Sequence, residues 1–209
     1  CGIALEPVRA AWQQALAGRR LDRCIVTHFH PDHLGLAHWL EQQTGAGLWM
    51  TQTEYLTAQA VYHQLQGFCV PSMLEFFRAH GLDTARLEAL AGRGNAYRKG
   101  VPEIPGCFRR LQAEENIAIG DQDWRVLIGN GHAPEHASLY CASQGVLISG
   151  DMLLPRISTN ISVWAAMPEA NPLAWFLDSL RRLAAELPAD TLVLPSHGLP
   201  FRGLPARVD

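Results

Sequence analysis

Residues 27–35 read Thr27-His28-Phe29-His30-Pro31-Asp32-His33-Leu34-Gly35. Three imidazoles and a carboxylate are packed together here as His28-x-His30-x-Asp32-His33. Nitrogen and oxygen donors of this kind are what Zn²⁺ or Fe²⁺ takes from a protein. Core packing gives no reason to bring four of them so close. Before the motif, residues 21–26 turn apolar and β-branched and predict a buried strand over 21–27. After it, residues 34–43 carry Leu34, Ala37, Trp39 and Leu40 at near-helical spacing and stop at Gly45, which predicts a helix. The motif therefore lies where a strand ends and turns into a helix. Pro31 favours extended backbone before it and is expected to deny the loop an early helix. On an extended chain His28 and His30, two apart, face the same way, with Asp32 and His33 following from the turn.

The motif resembles the His-x-His-x-Asp-His signature of the metallo-β-lactamase fold superfamily, and the rest of the chain offers the segments that go with it. Gly131-His132-Ala133-Pro134-Glu135-His136 is similar to the family's Gly-His-Thr-x-Gly-His segment. Ser149-Gly150-Asp151 ends the apolar run 145–148 and looks like the family's strand-end Gly-Asp. Pro195-Ser196-His197-Gly198 follows the apolar run 192–194. All three come just after a predicted strand, where α/β proteins collect their active-site groups. The resemblance implies that His28, His30 and His132 hold one metal, that Asp32, His33 and His197 hold another, and that Asp151 bridges them. It implies an α/β fold, the αββα sandwich of this superfamily. The remaining histidines are not recruited: His38, His63 and His80 fall in helical stretches and read as surface or packing residues. His136 reads as a group behind the ligands.

The implied activity is that of a metal-dependent hydrolase. Two divalent ions, Zn first with Fe or Mn as alternatives, share a hydroxide that attacks the substrate. Asp32 is the candidate catalytic residue, orienting that nucleophile as well as binding metal. No Gly-x-Ser-x-Gly elbow competes for the role. The resemblance leaves thioesters such as hydroxyacylglutathione, lactones, β-lactams and phosphodiesters open. A small acyl ester, thioester or lactone is favoured, in the hydroxyacylglutathione hydrolase-like branch, because the chain is near neutral and carries an apolar insert. The alternatives are a phosphodiesterase or ribonuclease of the same fold and a single-iron persulfide dioxygenase. Intact His33 and His197 speak for two metals over one.

Composition sets bounds around this. The chain has 209 residues, a net charge of −3, sixteen arginines and the single lysine Lys99. That is one domain's worth of chain with no electrostatic case for a nucleic-acid partner, and no apolar run long enough to span a membrane. The expected partner is a small-molecule acyl substrate; the oligomeric state stays open. Five cysteines, Cys1, Cys24, Cys69, Cys107 and Cys141, lack metal-type spacing. Cys24 and Cys141 fall in predicted strands as core thiols. A reducing, cytoplasmic setting is inferred. Cys1-Gly2 resembles the end of the family's Asp-x-Gly strand, so the strands that usually precede the motif are expected to be missing from these residues. A mature lipoprotein would also begin with Cys, but no lipobox is visible.

The remaining pattern predicts a helix over 7–17 and a short strand at 48–51. A hairpin of 116–119 with 124–128 follows, then a second of 138–142 with 145–148, and a strand at 191–195. Asn171-Pro172 opens a helix with a cap and a first-turn proline. Its expected core face is Leu173, Phe176, Leu177, Leu180, Leu183 and Leu187. Residues 53–110 read as a helical insert within a single domain over 1–209. The insert has an apolar seam that could cap the metal site.

Overall fold

The computed structural model describes residues 1–208. Strands β1 (Arg23–Ile25), β2 (Gly47–Thr51) and β3 (Arg109–Leu111) form one sheet in that order, β1 and β2 running parallel. Strands β4 (Asn116–Ile119), β5 (Gln122–Gly129), β6 (His136–Cys141), β7 (Val146–Gly150) and β8 (Leu192–Pro195) form a second, again in sequence order. The chain folds as two compact units. One comprises Cys1–Trp49, Tyr55–Arg109 and Val163–Ala170; the other comprises Met50–Glu54, Arg110–Ser162 and the segment from Asn171 onward.

In the first unit, α1 (Glu6–Leu16) precedes β1, and the motif follows it. Here one expectation is corrected. Pro31 opens a short helix, α2 (Pro31–Leu34), instead of preventing one. Its fixed φ suits the first helical position, where its missing N–H has no partner to lose. His33 N–H already bonds to His30 O at 3.0 Å, so Asp32 and His33 sit on a helical turn. The predicted helix at 34–43 is accordingly split into α2 and α3 (Ala37–Thr44). α3 stops at Gly45, whose φ of +74° closes it in the left-handed region.

Residues 53–110 hold α4 (Gln52–Tyr62), α5 (Val70–Ala79), α6 (Thr84–Arg93) and α7 (Ala96–Gly100), then β3. The last is a strand the pattern does not announce, because three residues are too few to show alternation. Asp83 and Asn95 cap α6 and α7 by accepting the Arg86 and Arg98 N–H groups. Close packing places α7 against the motif. A Cβ on Gly35 would lie 2.3 Å from Gly100 O, and one on Gly100 would lie 2.7 Å from Pro31 Cβ. Only glycine at both positions permits that approach.

In the second unit the two expected hairpins form, with Ile119 opposite Gln122 across Gly120-Asp121 and Cys141 opposite Val146. β8 returns parallel to β7 after α8 (Pro172–Glu186). Asn171 caps α8 through the Ala174 N–H. The core of this unit joins Leu127, Tyr140, Leu147, Leu153 and Val193 to Leu180, Leu183 and Leu187. Two members of the predicted helix face are corrected: Leu173 and Leu177 are 54% and 39% exposed. The buried stripe instead runs through Pro172, Ser179, Leu180 and Leu183. Ser179 belongs to it because its hydroxyl accepts the Asn130 N–H at 2.9 Å, which satisfies a polar group that periodicity counts as solvent-facing.

Candidate metal centre

The first unit carries four of the seven predicted donors. His28 is fully buried, His33 nearly so, and Asp32 is exposed, its side chain at 43%. Thr27 orders the imidazoles: its Oγ1 lies 2.9 Å from His28 Nδ1 and 3.3 Å from His33 Nδ1. A hydroxyl has one proton and two lone pairs, so it can donate to one ring and accept from the other. Engaging Nδ1 in both rings leaves Nε2 as the nitrogen that Thr27 does not use. His28 Nε2 then lies 3.0 Å from His30 Nδ1, and the His28 ring centre lies 4.6 Å from that of His30 and 4.0 Å from that of His33. His33 Nε2 stands 3.5 Å from Asp32 Oδ2. The backbone between His28 and His30 is held from α7, where the Tyr97 hydroxyl donates to Phe29 O at 2.6 Å. Phe29 itself is buried beside Tyr97 and Trp164, with ring centres at 6.1 and 5.7 Å.

The second unit brings together the other three. His132 leaves β5 through Gly131, whose φ of +106° no other residue adopts cheaply. Asp151 leaves β7 through Gly150 at φ +54°, after a register shift between Ile148 and Gly150. His197 follows β8, and its loop is tied to β7 where Ser196 N–H bonds to Gly150 O at 3.1 Å. The result is a carboxylate with an imidazole at each oxygen. His132 Nε2 is 3.5 Å from Asp151 Oδ2, and His197 Nε2 is 3.5 Å from Asp151 Oδ1. His132 and Asp151 are buried.

Of the groups behind these donors, the sequence points to His136 alone. His132 Nδ1 meets Asn160 O at 2.8 Å, so that nitrogen carries the proton and Nε2 presents the lone pair towards Asp151. Thr159 donates to Asp151 O at 2.7 Å. His136, fully buried, accepts the Asp151 N–H at Nε2 over 3.1 Å. The other histidines lie elsewhere: His38 pairs with Glu103 at 2.7 Å, His80 bonds to Phe76 O within α5, and His63 packs on Tyr62.

The donor chemistry fits divalent metal. Three imidazoles crowd together in the first unit, with His28 Nε2 facing His30 Nδ1. In the second, the two oxygens of one carboxylate face different imidazoles at a separation longer than the usual 2.7–3.2 Å of an N–H···O bond. Neutral imidazole with carboxylate is the donor set that Zn²⁺, Fe²⁺ and Mn²⁺ accept.

Comparison with known proteins agrees. The chain matches the metallo-beta-lactamase superfamily over residues 1–197, and it belongs to that superfamily. Its α/β fold recurs in a beta-lactamase domain protein from Burkholderia ambifaria, 42% identical with a TM-score of 0.85; the match covers 100% of this chain and 60% of that one. It is 27% identical over 195 residues to the probable metallo-hydrolase YqjP of Bacillus subtilis, which covers 90% of this chain and 58% of the relative. A hydroxyacylglutathione hydrolase from Rhodospirillum rubrum matches in part, 31% identical over 110 residues, 53% of this chain and 38% of that enzyme. The chain thus spans less than two thirds of each of these relatives. Among the described residues no helix is long and apolar enough to cross a membrane.

Proposed function

We propose that the chain is the metal-binding part of a hydrolase with a dinuclear centre. In it, as the superfamily signature implies, His28, His30 and His132 would hold one divalent ion, and Asp32, His33 and His197 a second, with Asp151 a ligand to both. The observation that carries this reading is Asp151, whose two carboxylate oxygens each face a different imidazole. Zn is the metal favoured by the donor set. Divalent ions in such a site activate water near neutral pH and polarise the oxygen of an electrophile.

The chain's own residues supply the rest. Thr27 and Asn160 set the ring nitrogens of His28, His33 and His132, so that the donors need little rearrangement when loaded. Asp32 is the solvent-facing carboxylate of the group, placed to hydrogen-bond an attacking water and take its proton. Tyr97 keeps the His28–His30 backbone from moving as charge changes nearby.

The substrate proposed is a small acyl ester, thioester or lactone. The partial match to a hydroxyacylglutathione hydrolase supports a thioester in particular. A net charge of −3 gives no electrostatic case for a polynucleotide.

The test is metal analysis of the protein as purified and an oxygen-uptake assay on a persulfide, then a hydrolysis panel on the Zn-loaded protein with a thioester, a lactone, a chromogenic β-lactam and a phosphodiester. Two Zn per chain and turnover of an acyl substrate are expected, with the rate lost in Asp151→Ala. One Fe per chain with oxygen uptake on a persulfide, or cleavage of the phosphodiester alone, would overturn the assignment.

A further inference from the structure

Glu54 is a charged residue on an apolar stripe. On α4 it shares the spacing i, i+4, i+7 with Ala58 and Val61, and all three are buried, Glu54 completely. A leucine would fill that volume without the desolvation that a buried carboxylate carries. What the carboxylate adds is an acceptor at a defined point. Glu54 Oε1 accepts the Glu135 N–H at 2.6 Å.

Two neighbours grip the same residue. Thr51, also buried, donates its hydroxyl to Glu135 O at 2.9 Å, and Thr53 N–H reaches Glu135 Oε2 at 3.4 Å. Glu135 lies between His132 and His136, in a segment whose other end is tied where Asn130 Nδ2 donates to Pro134 O at 2.6 Å. His136 in turn holds the backbone N–H of Asp151. One anchored peptide therefore governs both the turn that carries His132 and the ring that fixes Asp151.

We propose that Glu54 is a positioning residue of the metal centre: acting through Glu135 and His136, its buried carboxylate sets where His132 and Asp151 stand. The proposal rests on the metal reading above. Glu54 belongs to neither group of candidate metal donors. It fixes a backbone amide two steps from the donors.

The test is Zn²⁺ affinity of the full chain by competition with a chromogenic chelator, together with the visible spectrum of the Co²⁺-loaded protein. Glu54→Leu keeps the volume and removes the acceptor. It is expected to weaken Zn²⁺ binding about tenfold, the lower end of what losing a group behind a ligand costs, and to shift the Co²⁺ bands. Glu54→Gln keeps an amide oxygen in the same place and is expected to restore affinity to within about threefold of wild type. Should Glu54→Leu fail to fold, Thr51→Val decides. Thr51→Val removes only the hydroxyl grip and is expected to weaken binding about threefold. Wild-type affinity and spectrum in Glu54→Leu, or in Thr51→Val where that variant decides, would overturn the proposal and leave the metal reading standing. A wild-type chain that takes up no Zn²⁺ would overturn both.

Discussion

Gly131→Ala should damage the fold and the candidate centre together. Gly131 stands at φ +106° with the first turns of α8 against it. A Cβ there would lie 2.4 Å from Pro172 O, 2.6 Å from Phe176 Cβ and 2.7 Å from Phe176 N. None of these atoms can swing away by a side-chain rotation, so helix or loop must yield by about 1 Å in an interior packed like an organic crystal. Positive φ on a residue with a Cβ costs about 1–3 kcal/mol, and overpacking adds about 1–3 kcal/mol. A combined loss near 3–4 kcal/mol lowers Tm by about 10 °C in a protein of this size, at roughly 3 °C per kcal/mol. Because His132 is the next residue, Zn²⁺ content should fall as well. The control is Gly92→Ala, in α6, where a new Cβ meets nothing within 4 Å. That change should be neutral or stabilising by about 0.5–1 kcal/mol. The measurements are thermal unfolding of the metal-free and metal-loaded proteins and metal content after dialysis. If Gly131→Ala melts with wild type and keeps its metal, the idea that close approach of α8 sets the His132 turn is wrong.

Tyr97→Phe removes the donor to Phe29 O. It should cost about 1 kcal/mol in urea unfolding and lower Zn²⁺ affinity, while Tyr62→Phe, which loses a bond to Pro102 O instead, should leave affinity unchanged. The cysteines should alkylate in a set order. The Ser72 hydroxyl beside Cys69 holds its thiol below the ordinary value, whereas burial pushes the Cys24 thiol up. A lower thiol pKa leaves more thiolate at a given pH, so Cys69 should keep reacting with iodoacetamide as pH falls through the range where an ordinary thiol slows. Cys24 should stay unmodified until the protein is unfolded, and peptide mapping over a pH series reads both.

Much of the fold follows from local pattern. The strand before the motif, the two antiparallel hairpins and the Asn171-capped helix rest on alternation, turn residues and capping, all of which act within a few residues. Local pattern fails where a residue's position in the element, a buried partner or a strand's brevity outweighs its type. Pro31 was read as a helix breaker, yet at the first helical position it starts α2. Leu173 and Leu177 match helical periodicity but face outward, because Ser179 finds a buried donor and takes their place on the stripe. β3 is too short to leave a pattern.

The candidate donors were legible because their chemistry is rare and clustered: His28, His30, Asp32 and His33 in one stretch, and His132, Asp151 and His197 each directly after a strand. Residue type and position along the chain were enough to nominate them. What the sequence could not decide is the shell behind them. Thr27 between two rings, Asn160 O on His132 and Tyr97 on Phe29 O are ordinary residue types, and of the groups behind the donors only His136, four residues after His132, is readable from the sequence. Their roles exist only once α7 and the 151–162 loop are folded, because a hydrogen bond depends on distance and angle and not on separation along the chain. So the sequence by itself determined which residues carry donors suited to metal. The tertiary structure alone decided which nitrogen of His28, His33 and His132 is tied to a neighbour and which is left for another partner, because that depends on groups far along the chain as well as near.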